Sequence, residues 1–326
     1  MLVLGGGRWL VQNAAVAGWC TGAVASVVAL VWVGQLLLAR APALVRSVVL
    51  NTLLLGALAA FLLPIYWITV TSLKPPVLID SLTPRFIFHP TLVNYGSLLF
   101  HHLNDDPSAR ITGLSAFPVK LFNSLLIGLA ATALALLLGT TAAYSLARFR
   151  IKGKSDALFF ILSTRMLPPI VVVIPIFLMY RFLGLLDTRL GLVILYTMTN
   201  VSFAAYLMKG FFDDIPHEYD DAALLDGCSR LQAFRRVSLP QATTGMAATA
   251  VFCFITAWNE FAFAQLLATG EPLTAPPYIV SRTGSGGIDW GPIAAGALIF
   301  LIPAALFTFL MRRHLLRGVT FGAIKR

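Results

Sequence analysis

Charged residues are scarce in this sequence. They make up 12% of its 326 residues, whereas 58% are hydrophobic. A soluble domain has about twice that charged share, so little polar sequence is left here to cover a soluble globule. The apolar residues also fall in long runs, and about 20 apolar residues are enough to cross the hydrocarbon of a bilayer. The sequence therefore predicts a polytopic membrane protein.

Cysteine and phosphate-binding motifs are also scarce or missing. The few, widely spaced cysteines are Cys20, Cys228 and Cys253, and they predict neither a disulfide framework nor a metal site. The sequence contains no GxxxxGK[ST] pattern, so this chain is not expected to bind ATP in a P-loop. One cluster has the residue types of metal ligands: His101, His102, Asp105 and Asp106. Its spacing matches no defined metal site, which favours a solvated loop.

Seven apolar segments stand out along the chain. They span about 11–38, 48–71, 121–146, 157–182, 190–209, 244–268 and 293–311. They are long and do not alternate between polar and apolar residues, which predicts helices and not the strands of a barrel. The predicted fold is all-α, a transmembrane bundle of six helices plus one extra N-terminal helix. The first segment is either that extra helix or an uncleaved signal-like anchor.

The net charge of +10 is concentrated in short loops between the apolar segments. The basic regions lie at 40–46, 148–154, 209–236 and 312–326. If every segment crosses the membrane, all of them fall on one side. The positive-inside rule makes that side the cytoplasm, with Met1 outside and Arg326 inside. The basic residues thus indicate orientation and not nucleic-acid binding.

The polar stretch Ile215–Pro240 is too polar for lipid and is predicted to form a helix, a turn and a second helix. Pro216 suits a first helical turn, Gly227 a helix end and Ser229 an N-cap, with the second helix running to about Val237. Acidic residues suit the N-terminus of the first helix: Glu218, Asp220 and Asp221.

Small residues are expected to share one face of the first of these helices. Ala222 and Asp226 are four residues apart, as are Ala223 and Gly227, and residues at that spacing lie on the same side of a helix. A face nearly free of side chains would let another surface approach the backbone. Spacing alone leaves two interpretations open: docking to a partner, or packing on the chain's own bundle.

This stretch resembles the EAA loop of the permease subunits of ABC importers. The matching residues are Asp221-Ala222-Ala223, Gly227 and Val237-Ser238-Leu239-Pro240, with Asp221 in place of Glu and Val237 in place of Ile. The resemblance implies that the loop, at about 212–240, couples to an ATPase. The implied coupling residues are Glu218, Asp221, Ala222, Ala223, Asp226, Gly227, Leu239 and Pro240.

Further blocks resemble the carbohydrate branch of that family, in particular its MalG-type members. They are Pro64–Trp67, Thr71–Lys74, Asn123-Ser124, Ala142–Phe149, Arg165–Pro169, Leu186–Thr188, Trp258–Phe261 and Gly318–Gly322. The resemblance covers about 48–326. It implies a permease domain there, preceded by residues 1–47 with the extra segment and a short basic loop.

The family also implies partners and a mechanism. This chain would pair with a second, MalF-like permease subunit in a bacterial-type inner membrane. A dimer of ATPase subunits, which bind ATP and Mg, would sit on the cytoplasmic face, and a solute-binding protein would deliver a small sugar or polyol from outside. This chain would bind no cofactor or metal and would perform no covalent chemistry.

Polar residues inside the apolar segments are candidates for the substrate pathway. Asn259 and Glu260 lie within the sixth segment, where a charge is costly and tends to face a cavity or a partner. They either line the pathway, with Trp258 or Phe261 offering a stacking face, or make interhelical or interfacial contacts. Arg165, in the fourth segment, either lines the pathway or pairs with Glu260. Pro168 and Pro169 are expected to kink that segment.

Two other classes of protein remain as rivals. A secondary transporter or channel that works without ATP would account for the helices and for Glu260, but not for the EAA-like loop. A membrane-embedded enzyme would need a convergent set of catalytic groups in the helices, and the sequence shows none.

Overall fold

The computed structural model describes residues 42–79, 81, 85, 87–102, 111–166, 168–284 and 287–323. The predicted first segment, at about 11–38, lies outside the described residues. The chain divides into two compact units, Met1–Trp67 and Ile68–Arg326. The predicted domain boundary between residues 47 and 48 stays a prediction.

Within the part of the chain that the structure describes, four helices are long and apolar enough to cross a membrane. They are α1 (Ala43–Leu73), α4 (Phe117–Arg148), α7 (Arg189–Asp213) and α14 (Trp290–Ala323). They correspond to the second, third, fifth and seventh predicted segments. The all-α membrane bundle predicted from the sequence is therefore confirmed.

Shorter elements connect these helices. In chain order they are α2 (Pro76–Ile79), α3 (Val93–Leu99), β1 (Phe100–His102), β2 (Ile111–Leu114), α5 (Lys154–Ser163), α6 (Pro169–Leu183), α8 (Glu218–Leu225), α9 (Arg230–Ala233), α10 (Leu239–Gln241), α11 (Thr243–Trp258), α12 (Ala262–Leu267), α13 (Ala275–Val280), β3 (Thr283–Gly284) and β4 (Gly287–Ile288). The strands form two antiparallel pairs, β1 with β2 and β3 with β4.

The fourth predicted segment is broken and not merely kinked. Helix α5 passes through a 3₁₀ turn, Thr164–Met166, and α6 leaves at an angle of 94°. Pro168 is extended, with φ −61° and ψ 134°, and Pro169 opens the new helix. A proline lacks the N–H that a continuing helix needs and disfavours helical geometry in the residue before it. Two consecutive prolines therefore stop α5 from continuing into α6.

The sixth predicted segment is also broken. Helix α11 ends at Trp258 and α12 begins at Ala262, so Asn259, Glu260 and Phe261 interrupt the predicted single helix. The Oε1 atom of Glu260 accepts a hydrogen bond from the backbone N–H of Phe263 at 3.0 Å. A side chain that satisfies a free N–H in the first turn favours a new helix start at this point.

Small residues let the long helices of the second unit approach closely. A Cβ atom on Gly139 of α4 would lie 2.5 Å from the Cβ of Ala204 in α7. Ala135, Ala204 and Cys253 form a fully buried cluster, one residue from each of α4, α7 and α11. Close backbone approach through small residues is the usual packing of membrane helices, because lipid supplies little hydrophobic drive for association.

Candidate functional site

The loop predicted to couple to an ATPase, residues 212–240, is called the coupling loop below, and it contains the predicted helix, turn and helix. Helix α8 is followed by Gly227, whose φ of +83° is a left-handed value that suits glycine. Ser229 caps α9 in a capping box with Gln232. The second helix extends about as far as predicted, because α9 continues from Ala233 into a π-helical turn, Phe234–Ser238.

The prediction that Ala223 and Gly227 share one face of the helix is wrong. Ala223 is 6% exposed and faces the interior. Gly227 lies beyond the end of α8 and is exposed, with open space where a Cβ atom would be. The two residues separate because the helix ends at Leu225, so the spacing of four no longer places them on one side.

The other coupling candidates divide between the surface and the interior. Helix α8 exposes most of its candidates together with Leu225, which is 88% exposed. The exposed candidates are Glu218, Asp221, Ala222, Asp226 and Pro240. Leu239 is half-buried and packs against a cluster that includes Tyr144, Phe212 and Phe234.

A buried ion pair holds the coupling loop to the end of α4. The Nε atom of Arg148 donates to Asp220 Oδ2 at 2.5 Å, and the two side chains are 3% and 8% exposed. The hydroxyl of Ser238 donates to Asp220 Oδ1 at 2.5 Å, and that of Tyr144 lies 3.4 Å from the same atom. We call these four residues, Tyr144, Arg148, Asp220 and Ser238, the charge clamp.

The guanidinium of Arg148 also binds the chain that leads into the coupling loop. Nη1 donates to the carbonyl of Phe212 at 3.0 Å, and Nη2 donates to that of Ile215 at 2.9 Å. The Tyr144 ring lies against Phe234, with ring centres 4.6 Å apart, and makes an edge contact with Phe212 at 5.6 Å. Polar and aromatic contacts thus fix the entry and the exit of the loop together.

Sequence reasoning missed the charge clamp as a unit. It assigned Asp220 to a helix N-terminus and Arg148 to the loop charge that sets orientation. Tyr144 and Arg148 are four residues apart, which places them on one face of α4. That spacing was the available signal, although it does not reveal the partner 72 residues further on.

A second set of contacts lies at the opposite end of α4. Lys120 Nζ donates to the carbonyls of Gly270 and Glu271 at 2.7 and 3.1 Å, and Asn123 Nδ2 donates to those of Glu271 and Leu273 at 2.6 and 3.2 Å. The Ser124 hydroxyl accepts from the N–H of Ala275 at 2.8 Å.

Asp187 holds the same loop from another side. Its Oδ1 atom accepts from the N–H groups of Thr269 and Gly270, both at 2.9 Å. Asp187 itself has a φ of +56°, in the left-handed region. We call Lys120, Asn123, Ser124 and Asp187, with the backbone of 269–275 that they bind, the loop clamp.

The predicted pathway residues do not all meet. The Nη2 atom of Arg165 lies 3.5 Å from Asn200 Oδ1, and its guanidinium lies 4.9 Å from the ring centre of Phe203. Thr256 donates to the same Asn200 oxygen at 2.6 Å. Arg165 makes these contacts instead of the alternative pairing with Glu260, whose carboxylate binds the start of α12.

Trp258 is part of the internal packing. It is 1% exposed, stacks on Phe300 with ring centres 4.5 Å apart, and lies 5.4 Å from the ring centre of Phe254. Its Nε1 donates to the carbonyl of Phe300 at 3.2 Å. In this conformation the ring supports α14 and does not offer a stacking face. The next residue, Asn259, is exposed.

Among the described residues, no three His, Cys, Asp or Glu side chains are placed to hold a metal ion. Asp105 and Asp106 of the candidate cluster lie outside the described residues, and so do the side-chain positions of His101 and His102.

Known proteins resemble this chain over most of its length. It is 36% identical over 280 residues to the trehalose transport system permease protein SugB of Mycobacterium tuberculosis, covering 85% of this chain and 96% of SugB. It is 31% identical over 263 residues to the diacetylchitobiose uptake system permease protein DasC of Streptomyces coelicolor, covering 80% and 91%.

A solved structure shares the fold. It is the crystal structure of a bacterial ABC transporter involved in the import of the acidic polysaccharide alginate. The match has a TM-score of 0.64 at 22% identity and covers 82% of this chain and 95% of that one.

A family model confirms the resemblance seen in the sequence. The model for the inner membrane component of binding-protein-dependent transport systems matches residues 112–320. This family makes the chain a multi-pass inner-membrane subunit of a transport system and not an enzyme. The chain belongs to the family of binding-protein-dependent transport system inner membrane components.

Proposed function

We propose that this chain is one permease subunit of an ATP-driven importer for a small carbohydrate or polyol. It forms half of the translocation pathway beside a second, MalF-like permease subunit. A dimer of ATPase subunits binds ATP and Mg and docks on the coupling loop, and a solute-binding protein delivers substrate outside. The names of SugB and DasC, which refer to trehalose and diacetylchitobiose, support a carbohydrate substrate.

The observation that carries this proposal is the exposed surface of the coupling loop. Leu225, Leu231 and Tyr219 are exposed by 88%, 58% and 52%, beside the exposed carboxylates of Asp221 and Asp226. Apolar side chains exposed together within a polar segment mark an interaction site. A short helix of this kind suits a partner groove with an apolar floor and a basic rim. A transporter that works without ATP gives no reason for such a surface.

The contacts of the coupling loop support a cytoplasmic C-terminus. The charge clamp joins this loop to Arg148, and the guanidinium of Arg230 lies 5.3 Å from the ring centre of Phe149. Two of the basic regions therefore lie on the same side of the bundle, as the positive-inside rule requires. The C-terminal tail, which is also basic, belongs on that side.

For the pathway, we propose Arg165, Thr256 and Asn259 as a polar surface, with Glu260 fixing the break between α11 and α12. The buried Asn200 supports this surface through its contacts with Arg165 and Thr256. A cation within a membrane segment tends to face a cavity or a partner. We assign Trp258 a supporting role, because its buried ring packs on Phe254 and Phe300 next to Asn259 in the sequence. Uptake assays with labelled sugars and polyols would identify the substrate of the reconstituted complex.

The docking proposal is tested by Leu225→Asp. The new charge would be desolvated in the partner groove without a counter-charge, so ATPase binding should fall at least about tenfold. Pull-down of the ATPase and hydrolysis stimulated by loaded binding protein in proteoliposomes are the measurements. Ile151→Asp is the matched control, because Ile151 is also an exposed apolar residue and lies outside the coupling loop. Normal binding and stimulation in Leu225→Asp would assign docking to another surface.

A further inference from the structure

The charge clamp makes the coupling loop and the end of α4 one mechanical unit. Arg148 is bonded to α8 through Asp220 and to the loop entry through the carbonyls of Phe212 and Ile215. Asp220 is bonded to the loop exit through Ser238. The entry and the first helix of the loop therefore bind directly to the last turn of one membrane helix, and the exit is joined to it through Asp220.

The pair cannot separate without exposing a buried charge. Both side chains are more than nine-tenths buried. A surface pair contributes little and reforms freely, whereas separating a buried pair leaves an ion without its partner in a medium of low dielectric constant. A displacement of α8 is therefore passed to α4 and not absorbed in the connecting chain.

Helix α8 carries the proposed docking surface on one side and the contact with α4 on the other. Asp220 faces inward at 6% exposure, and its sequence neighbour Asp221 is exposed, as are Ala222 and Leu225. The proposed docking surface and the joint to α4 thus lie on opposite sides of a helix two turns long.

We propose that Arg148 and Asp220 are positioning residues that convert movement of the docked ATPase into movement of α4. This inference rests on the proposed function, because it needs an ATPase on the exposed side of α8. Both side chains are buried within the chain, which leaves them little surface for a partner or a substrate. Both act by keeping the coupling loop and α4 in fixed relation.

The test is Asp220→Asn in the complete complex reconstituted in proteoliposomes. Asparagine has the same shape but no charge, and the exposed docking surface is unchanged. We expect the ATPase to remain bound while substrate transported per ATP hydrolysed falls about tenfold or more, because Arg148 loses its counter-charge. Asp156→Asn is the matched control, since Asp156 is an exposed aspartate in the first turn of α5 and lies outside the coupling loop. It should keep the wild-type ratio.

A double variant separates positioning from folding. Arg148→Met with Asp220→Leu removes both charges, and replacing both partners of a buried pair by apolar residues usually preserves stability. We expect this complex to assemble in normal yield and still to transport poorly per ATP, because the bonds to Phe212, Ile215 and Ser238 are gone.

Two results would overturn the inference. One is a wild-type ratio in Asp220→Asn, and the other is a double variant that regains coupling together with assembly. If the wild-type chain itself fails to bind or stimulate the ATPase, the proposed function fails instead, so the two failures are distinguishable.

Discussion

The two ends of α4 are held in different ways. At the loop clamp, side chains bind main-chain atoms: Lys120 and Asn123 donate to carbonyls, and Ser124 accepts from an N–H. At the charge clamp, Arg148 binds another side chain, the carboxylate of Asp220, with which it forms a buried ion pair. Both ends are polar and both connect distant parts of the chain.

This difference sets how each end responds to substitution. A carbonyl is present whatever residue occupies the position, so an exposed residue of the loop such as Glu271 can vary and its carbonyl is still held. The charge clamp depends on both of its charged residues, because an ion left alone in the interior is strongly unfavourable. The loop clamp thus consists of several hydrogen bonds to main-chain atoms, of which one can be lost while the others remain. The charge clamp depends on an ion pair that is lost when either of its residues is replaced.

The strongest test of this contrast is Arg148→Met. It leaves the Asp220 carboxylate without its cation, and it removes a donor from the carbonyls of Phe212 and Ile215. We expect a loss of about 3–5 kcal/mol in the free energy of unfolding. Denaturant unfolding in detergent micelles measures it. Arg230→Met, which removes an arginine lying over the exposed Phe149, is the control and should change stability by at most about 1 kcal/mol.

The packing between the two clamps is tested by Gly139→Ala. The added Cβ would meet the Cβ of Ala204 at 2.5 Å and the backbone nitrogen of Ala205 at 2.9 Å, so α4 and α7 must move apart. Overpacking of this kind costs about 1–3 kcal/mol. Gly210→Ala, in open space on α7, is the control and should be neutral or stabilising. Equal stability of the two variants in the micelle assay would contradict the close approach.

The loop clamp is tested by Asn123→Leu. The change removes the hydrogen bonds to the carbonyls of Glu271 and Leu273, while Lys120 and Ser124 still hold the loop. We expect the free energy of unfolding to fall by about 1–3 kcal/mol, the usual effect of leaving buried polar groups unsatisfied. The micelle unfolding assay compares it directly with Arg148→Met. A larger loss for Asn123→Leu would reverse the contrast between the two ends.

The smallest effect is expected from Arg189→Gln. Arg189 pairs with Glu271 at the rim of the loop clamp, where the two side chains are 40% and 76% exposed. Exposed pairs contribute about 0–1 kcal/mol and are screened by salt. At low salt, the free energy of unfolding of the variant should be slightly lower than that of the wild type. At high salt, this difference should disappear. A loss that persists at high salt would mean that this pair belongs to the clamp.

Local chemistry was predictable from the sequence, whereas the direction of side chains in apolar segments was not. Gly227 and Ser229 take the turn and cap positions that their own preferences indicate. Pro168 and Pro169 indicated a kink, but their presence did not give its size, which is a bend of 94°. Trp258 lies in a segment that is apolar on all sides, so periodicity could not tell a pathway face from a core face. The pairing of Arg148 with Asp220 depends on tertiary structure alone.

The backbone of Asp187 bears on which residues this position can accept. A φ of +56° admits glycine and, among residues with a Cβ, favours asparagine and aspartate. The hydrogen bonds from Thr269 and Gly270 need a side-chain oxygen on a short stem. Glycine accepts the positive φ but has no side-chain oxygen. Glutamate has the oxygen but disfavours the positive φ and has a longer side chain. Natural variation at this position should therefore be confined to two residues, aspartate and asparagine.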